Sequence, residues 1–493
     1  MKDKRIIEGQ WWTQGAEQSL HDGVLKFEPE EDMTLSVRIP RPLQASESWV
    51  LFNPIGDCPN VIHGLDEHLN PVTLLGCSPG SYSATMGVRK QTIHALAALV
   101  GAKVEAWNER RFVAAQLKFS LLQNWVNCHI EETSIDPQDP FAFRLKLPPE
   151  TVVELVDGTK VRFGVGFGSS HSLGKLSFET EHSIYLHFPE TKSAETITNN
   201  YTPKIQHLLS LLIGDVVFLD GCTFFENDPY YPRPSESAAG IQLLRCCGGI
   251  AEANRDRSGH RMVTQFKEIA ADLPTIITRW FELDERLQPV VDLFMLVRAR
   301  RAPTLEHRFL LLAQAIEAYH ARMGNFTATE VSRADSRLRV NALVACVPAE
   351  QQEWLREKLA FSNQKTLAAR LTDIFTHHET EVRTATEGIP DFAAKVRNTR
   401  NYYTHYGEDL MENGSVAQGE ELIRITFALE AILGVCLLKE LGIKGAPIDR
   451  FLQRYTQIKS TQLTTIPAPA APVTAPQVAE ALPAPNSQPT PSI

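Results

Sequence analysis

The chain has 493 residues, a mass of 55.1 kDa and a formal net charge of −10 at pH 7. Hydrophobic residues make up 43% of it and charged residues 22%, which excludes a wholly disordered protein. At about 100–200 residues per domain, this length predicts two to four domains. The negative charge argues against a protein that coats DNA through bulk positive charge, but it leaves room for a local nucleic-acid site.

The sequence shows no sign of a membrane or secreted protein. No stretch approaches the roughly 18–20 uninterrupted apolar residues of a membrane span, and the first residues, MKDKRIIEGQWW, lack the apolar core of a signal peptide. The eight cysteines show no disulfide-framework spacing, and Cys346 and Cys436 lie inside apolar runs. We therefore expect a cytoplasmic protein with reduced, buried thiols and no membrane partner.

The first half of the chain is predicted to be rich in β-strands. Short runs of β-branched and aromatic residues recur between turn signals at 24–27, 34–39, 72–77 and 182–188. The sharpest signal is Asp157-Gly158, which predicts a two-residue hairpin turn between alternating strands. A short helix is predicted over 203–213, closed by Gly214. Residues 1–264 are therefore interpreted as a β-rich, sandwich-like region.

Helical periodicity dominates from about residue 265 onward, which predicts an all-α domain over 265–460. The predicted helices are 288–301, 304–323, 328–345, 349–359, 364–377, 390–405, 417–441 and 447–458. Residues 285–460 carry 23 Lys and Arg against 22 Asp and Glu, so this half has no field that would repel a polyanion. The predicted fold class is α+β and multidomain.

The last segment, 461–493, contains eight prolines and no Lys or Arg. It is too poor in large apolar side chains to fold. We expect a disordered Pro/Ala-rich tail without a catalytic role.

The most informative segment is DFAAKVRNTRNYYTHYGED at 391–409, which contains Arg400, Asn401 and His405. On a helix, Asn401 and His405 share a face, and Arg400 lies about 100° from Asn401, so all three can reach one cleft. Arg397 lies one turn before Asn401. No acidic residue occurs between Lys395 and His405, which predicts a locally cationic patch.

These residue types suit the cleavage of a phosphodiester without a metal ion or cofactor. An imidazole transfers protons near neutral pH, a guanidinium offsets charge on phosphate oxygens, and an amide orients by hydrogen bonds. RNA carries its own nucleophile, the 2′-hydroxyl, whereas DNA has none. The constellation therefore favours RNA as the substrate, and tRNA is a reasonable candidate because it is abundant and its cleavage stops translation.

The spacing alone also fits a solvated, Tyr-rich helix end, where cationic side chains favour the negative end of the helix dipole. Related patterns occur elsewhere in the chain. Looser copies are Arg301…His307 and Arg370…His377, and a strict copy, in a turn-like Ser-Gly-His context, is Arg255…His260.

The Arg-Asn-x3-His arrangement at 400–405, late in a helical region, resembles the signature of HEPN domains. The segment FLLLAQAIEAYHAR, which contains Glu317, is similar to the first HEPN helix. Four segments of the first half resemble the β-rich N-terminal region of ApeA-type antiphage proteins. They are Gly9-Gln10-Trp11-Trp12, Asp22-Gly23-Val24-Leu25, Ile62-His63-Gly64 and Val72-Thr73-Leu74-Leu75. Together the resemblance covers about residues 5–458.

This resemblance implies a homodimer whose HEPN domains pair and place two motif copies across one RNA-accepting cleft. It implies a toxic ribonuclease that stays silent until phage infection, with Arg400 and His405 catalytic and Asn401 supporting. It also implies that the β-rich half is a sensor or regulatory module, for which a phage-derived trigger is expected. The alternative is a non-catalytic HEPN scaffold that binds nucleotide or RNA without cutting it.

Several residues keep two interpretations at this stage. Glu317 is either a buried acid paired with an arginine of another helix or a group that orients Arg400 or His405. Helices 417–441 and 304–323 have enough apolar surface to form the dimer interface. Possible but unusual zinc ligands are Cys58, His63, His68 and Cys77. The pair His377-His378 is predicted to be a solvated helix end, with a metal site as the weaker alternative.

Overall fold

A computed structural model describes the chain over 4–28, 32–40, 58–85, 88–126, 131–132, 145–146, 150–172, 175–229, 240–245, 262–299, 302–407, 411 and 414–463. The strict motif copy Arg255…His260 and the predicted tail beyond residue 463 lie outside these residues.

Strands dominate the first half, where alternating burial along each strand places one side-chain set on the core. Within the described residues they are β1 Arg5–Thr13, β2 His21–Phe27, β3 Met33–Pro40, β4 Val61–Asp66, β5 Pro71–Leu75, β6 Ser78–Thr85, β7 Val88–Ala95, β8 Ala97–Val100, β9 Arg111–Phe119, β10 Glu131–Glu132, β11 Leu145–Lys146, β12 Thr151–Glu154, β13 Lys160–Ser172, β14 Lys175–Ser193, β15 Leu219–Phe225 and β16 Ile241–Arg245.

Among the described residues, all strands but β10 and β11 form one sheet in the order β12-β13-β14-β9-β15-β16-β8-β5-β4-β1-β2-β3-β7-β6. Neighbouring strands pair antiparallel; Gly9, for example, lies opposite both Gly23 and Asp66. Strands β10 and β11 pair separately. The predicted strand runs at 24–27, 34–39, 72–77 and 182–188 lie within or overlap β2, β3, β5 and β14.

The hairpin at Asp157-Gly158 differs in one detail from its prediction. Leu155 donates its N–H to the Thr159 carbonyl, and Gly158 donates to the Leu155 carbonyl. The loop therefore has three residues rather than two, and Gly158 takes the left-handed conformation, with φ of +78°, that such a loop requires. The extra loop residue is Val156, which is exposed.

Helices form the second half. Those described are α1 Leu122–Val126, α2 Ala194–Thr196, α3 Thr202–Ile213, α4 Phe266–Ile269, α5 Leu273–Arg298, α6 Leu305–Arg322, α7 Arg333–Ala345, α8 Ala349–Leu359, α9 Leu367–His377, α10 Glu379–Thr386, α11 Phe392–His405, α12 Gly419–Glu440 and α13 Ala446–Leu463, with a π-helical turn at Ile197–Tyr201 before α3. A β-rich first half followed by helices confirms the predicted α+β class.

Helix α5 corrects the sequence prediction, which began it at residue 288. It begins fifteen residues earlier and continues through Pro289. A proline inside a helix removes one hydrogen bond, but Ile277, Trp280 and Phe294 are buried on either side of it and stabilise the helix by packing. Helix α10 was also missed, because its eight residues are too few to show a clear period.

The prediction of buried thiols is confirmed for Cys436 and wrong for Cys346. Cys436 is buried on α12, whereas Cys346, which follows the last residue of α7, is exposed.

The two halves share one apolar core. A single cluster of buried side chains includes Phe112 and Leu117 of β9, Leu208 of α3 and Phe294 of α5, and continues into the later helices. A second cluster, which includes Trp11 and Leu25, packs inside the β-rich region. The domain division at residue 264 stays a prediction.

Helix α12 lies at the centre of the helical half. Its side chains from Ile425 to Leu438 are buried within the single chain. The expectation that this helix supplies a dimer interface is therefore wrong, because its apolar surface is already used inside the protomer. Helix α6 differs, since Leu310, Gln314 and Glu317 on one of its stripes stay partly or fully exposed.

Candidate active site

Helix α11 carries the Arg-Asn-x3-His motif and is anchored by one buried face. Phe392, Val396 and Thr399 are buried, as their spacing along the helix requires. The Thr399 hydroxyl oxygen accepts a hydrogen bond of 2.9 Å from the Ala417 N–H, which ties the helix to the segment before α12. The motif is therefore displayed from a fixed helix rather than from a loop.

Most of the motif side chains lie on the opposite half of α11. At 100° per residue, Arg397, Asn401 and His405 point away from the stripe of buried residues, whereas Arg400 lies on its flank. Arg400 and Asn401 are partly exposed, and His405, the last residue of the helix, is exposed to solvent. The motif therefore faces outward from the protomer.

The structure brings Arg400, Asn401 and Glu317 together. An Nη of Arg400 lies 3.3 Å from Oε2 of Glu317, and the other Nη donates to Oδ1 of Asn401 at 3.4 Å. Glu317 is half-buried on α6, and its backbone carbonyl accepts a hydrogen bond from Arg370 at 3.1 Å. Arg370, part of a looser motif copy, thus has a structural contact of its own.

Two predicted residues stand apart from this group. Arg397 donates through Nε and Nη2 to Oδ1 of Asn398, at 3.0 and 2.9 Å. Among the residues that the structure describes, His405 makes no hydrogen bond to Arg400, Asn401 or Glu317. Within one protomer, the Arg400 guanidinium is therefore held by Glu317 and Asn401, whereas the His405 imidazole is not hydrogen-bonded to these three residues.

The positive patch expected from the sequence is partly neutralised by other helices. Lys395 pairs with Glu421 at the start of α12, and Arg400 pairs with Glu317 of α6. Arg397 has the uncharged Asn398 as its partner. Two of the positive side chains are thus paired with acids that are distant in sequence, and the sequence of 395–405 alone could not show these pairs.

The sequence reasoning gave no role to a cluster of tyrosines beside the motif. The ring centroids of Tyr402 and Tyr406 lie 5.5 Å apart, and those of Tyr403 and Tyr406 lie 6.3 Å apart. Tyr403 also contacts the buried Phe309 ring of α6 edge-on, at 6.4 Å. Burial, reinforced by the negative charge of Glu306, raises the pKa of Tyr403.

The four candidate zinc ligands do not converge: Cys58 lies near Cys77, but neither histidine joins them. His63 is buried on β4 beside the Trp12 ring, whereas His68 is exposed in the following turn, where its N–H donates to Asp66. The Cys77 sulfur accepts a hydrogen bond from the backbone N–H of Ile62. Ile62 precedes His63 on β4, and the side chains of these two residues point to opposite faces of the sheet. Across the described residues, no three His, Cys, Asp or Glu side chains are placed to hold a metal ion.

The histidine pair at 377–378 is not the solvated helix end that the sequence predicted. His377 is exposed, but His378 is only 4% exposed. Neither ring nitrogen of His378 has a hydrogen-bond partner among the described residues. Burial, together with the positive charge of the nearby Lys439, lowers the pKa of His378 to about 4, while Glu381 opposes this effect.

We expect His378 to make folding sensitive to acid. Its imidazole is neutral when folded and takes up a proton near pH 6.5 when unfolded, so stability present above pH 6.5 is lost as the pH falls towards about 4. The loss from this group reaches at most about 3 kcal/mol. His378→Met should flatten the dependence of urea stability on pH between 7 and 4. His377→Met, at the exposed neighbour, is the control, and an equal acid sensitivity in both variants would contradict the expectation.

Comparison with known protein families matches both halves of the chain. The ApeA N-terminal domain 1 matches residues 6–280, which is more than half of the sequence, and the Apea-like HEPN domain matches residues 310–446. The chain belongs to the ApeA family. It is thus an antiphage protein that contains a HEPN domain, a domain that generally binds RNA and often dimerises. Among curated proteins and solved structures, no match was found.

Only one of the two strict copies of the motif lies within the HEPN match. Glu317, Arg400, Asn401 and His405 lie inside residues 310–446, whereas Arg255…His260 falls within the ApeA N-terminal match. The predicted family resemblance is therefore confirmed for both halves. None of the helices in the described part of the chain is long and apolar enough to cross a bilayer.

Proposed function

We propose that this protein is an antiphage endoribonuclease that acts by abortive infection and cuts RNA without a metal ion. The observation that carries the proposal is the motif on α11 within the HEPN match, where an exposed His405 shares the helix with Arg400, whose guanidinium lies 3.3 Å from Glu317. The β-rich region, residues 1–264, is the proposed sensor, and its trigger is of phage origin. The site of action is the cytoplasm.

The proposed reaction uses the RNA 2′-hydroxyl as nucleophile. His405 takes the hydroxyl proton, the 2′-oxygen attacks the adjacent phosphorus, and the bond to the 5′-oxygen breaks with a proton delivered to the leaving group. Arg400 offsets the charge that develops on the phosphate oxygens. Asn401 orients the phosphate, and Glu317 is a positioning residue that holds the guanidinium.

The reaction needs a base and an acid, yet each protomer offers one motif histidine. A two-fold interface that brings both α11 helices to its axis would place His405 and His405 of the partner subunit across one cleft. The half-exposed stripe of α6, which includes Leu310 and Glu317, borders α11 and is the proposed contact surface. Arg397 then contributes positive charge along the RNA path.

Cleavage is expected to survive EDTA and to leave 2′,3′-cyclic phosphate ends. A histidine–arginine mechanism places no metal ion at the reacting phosphate, so chelation should leave the rate unchanged. Chemical analysis of the RNA ends, with and without EDTA, checks both points. Strict dependence on an added divalent metal would sink the mechanism.

The active protein is expected to be a dimer at micromolar concentration. Sedimentation, or gel filtration with light scattering, measures the mass alongside the cleavage rate. Gln314→Arg on the α6 stripe should weaken association and cleavage together, since it places like charges across an isologous interface. Gln351→Arg, on the exposed helix α8, is the matched control. A monomer with full ribonuclease activity would contradict the composite site.

The RNA substrate is identified by sequencing RNA from cells that express the protein. We expect sequencing of RNA ends after expression of the wild type, compared with His405→Ala, to show new ends that depend on His405. The proposed substrate is tRNA, and breaks there should accompany growth arrest. A protein that arrests growth equally with His405→Ala would instead fit the non-catalytic scaffold.

A further inference from the structure

The backbone at the end of α11 is unusual. Tyr406, the residue that follows His405, takes the left-handed conformation with φ of +52° and donates its N–H to the Tyr402 carbonyl. This helix-terminating position ordinarily holds glycine, and Gly407 is the very next residue. A large aromatic side chain thus occupies a position that glycine would fill with less strain, and such outliers cluster at functional sites.

The ring of Tyr406 is held in place and open to solvent. It meets the rings of Tyr402 and Tyr403 edge-on, at 64° and 86° between the ring planes. Tyr403 in turn packs against the buried Phe309, so the cluster is anchored to the core of the helical half. Tyr406 itself stays 66% exposed. Its neighbours fix the ring from the side and leave much of its surface uncovered.

We propose that Tyr406 is a stacking platform for an unpaired nucleobase next to the cleaved phosphate. This inference rests on the proposed ribonuclease function and specifies its substrate as single-stranded RNA. Flat aromatic rings bind bases of any sequence by stacking, whereas paired bases inside an A-form helix expose no face to a side chain. Tyr406 follows His405 directly in the chain, so a base stacked on it would lie beside the proposed general base.

Binding is measured with the full chain carrying His405→Ala, so that RNA stays intact. The probe is a short fluorescein-labelled single-stranded RNA, compared with the same strand in a duplex, by fluorescence anisotropy. Tyr406→Gly should weaken single-strand binding about 10-fold, and Tyr406→Trp should retain it. Tyr82→Ala, at an exposed tyrosine of β6, should have no effect. Duplex binding should be weaker and insensitive to Tyr406→Gly.

The melting temperature of Tyr406→Gly serves as the folding control. Because glycine relieves the left-handed strain, Tyr406→Gly should keep or raise the melting temperature, by about 2 °C. Loss of RNA binding in a variant at least as stable as the wild type cannot be a folding defect. Unchanged single-strand binding by Tyr406→Gly would overturn the stacking site.

Cleavage by the chain with His405 intact separates this inference from the proposed function. If the wild type cuts RNA and Tyr406→Gly binds and cuts equally well, the stacking site fails and the ribonuclease stands. If the wild type binds single strands through Tyr406 but cuts no RNA either as purified protein or in phage-infected cells, the ribonuclease fails and the stacking site stands. If no RNA binds, both are overturned.

Discussion

Arg400→Ala and His405→Ala are each expected to abolish RNA cleavage and toxicity while the protein stays folded and dimeric. His405 lies on the outward half of α11 and Arg400 on its partly exposed flank, whereas Phe392 and Val396 anchor the helix through its buried face. Neither substitution removes a buried side chain, so stability should change little. Loss of a general base or of the charge-stabilising guanidinium costs about 10²-fold or more in rate.

The matched controls for this experiment lie elsewhere in the chain. Arg383→Ala and His68→Ala remove the same side-chain types from sites that are more than three-quarters exposed. Arg255→Ala and His260→Ala remove the second strict copy of the motif, which lies outside the HEPN match. All four should retain cleavage. An essential Arg255/His260 pair with a dispensable Arg400/His405 pair would show that the active site is assigned wrongly.

Glu430→Gln is expected to lower the free energy of unfolding by about 3 kcal/mol, more than any other substitution proposed for this protein. The Glu430 carboxylate is buried on α12 and lies 2.6 Å from Arg308 and 3.8 Å from Arg298. It also accepts a hydrogen bond from the Tyr455 hydroxyl at 2.8 Å. An amide of the same shape would remove the carboxylate charge from both guanidinium groups and leave only Asp215 acting on Arg298, which costs more than the pair itself contributes.

This buried network also joins the two halves of the molecule. Arg298 donates to the Gly214 carbonyl at 2.6 Å, at the end of α3 in the β-rich half, and to the Tyr455 hydroxyl at 2.9 Å. We therefore expect Glu430→Gln to lower the urea midpoint of the sheet and of the helices together. Glu379→Gln, an exposed acid of α10, is the control. An unchanged urea midpoint would mean that the arginines find solvent or other partners.

Much of the helical half could be predicted because its signals are local. The period of apolar residues in α6 and α11 placed both helices to within one or two residues, and Gly214 and Gly442 end their helices with positive φ. Helix α5 was predicted too short because Pro289 is a strong local signal for a break. Packing around Trp280 outweighs it, and packing is not a local property.

The sequence by itself determined the α+β class, the helix that carries Arg400, Asn401 and His405, and the chemistry open to those side chains. Only the tertiary structure decided which partners they meet. Arg400 and Glu317 are 83 residues apart in the chain, and α12 turned out to be the buried centre of the protomer rather than a dimer surface. Helical periodicity reports that a face is apolar, but not whether the same chain or a second copy covers it.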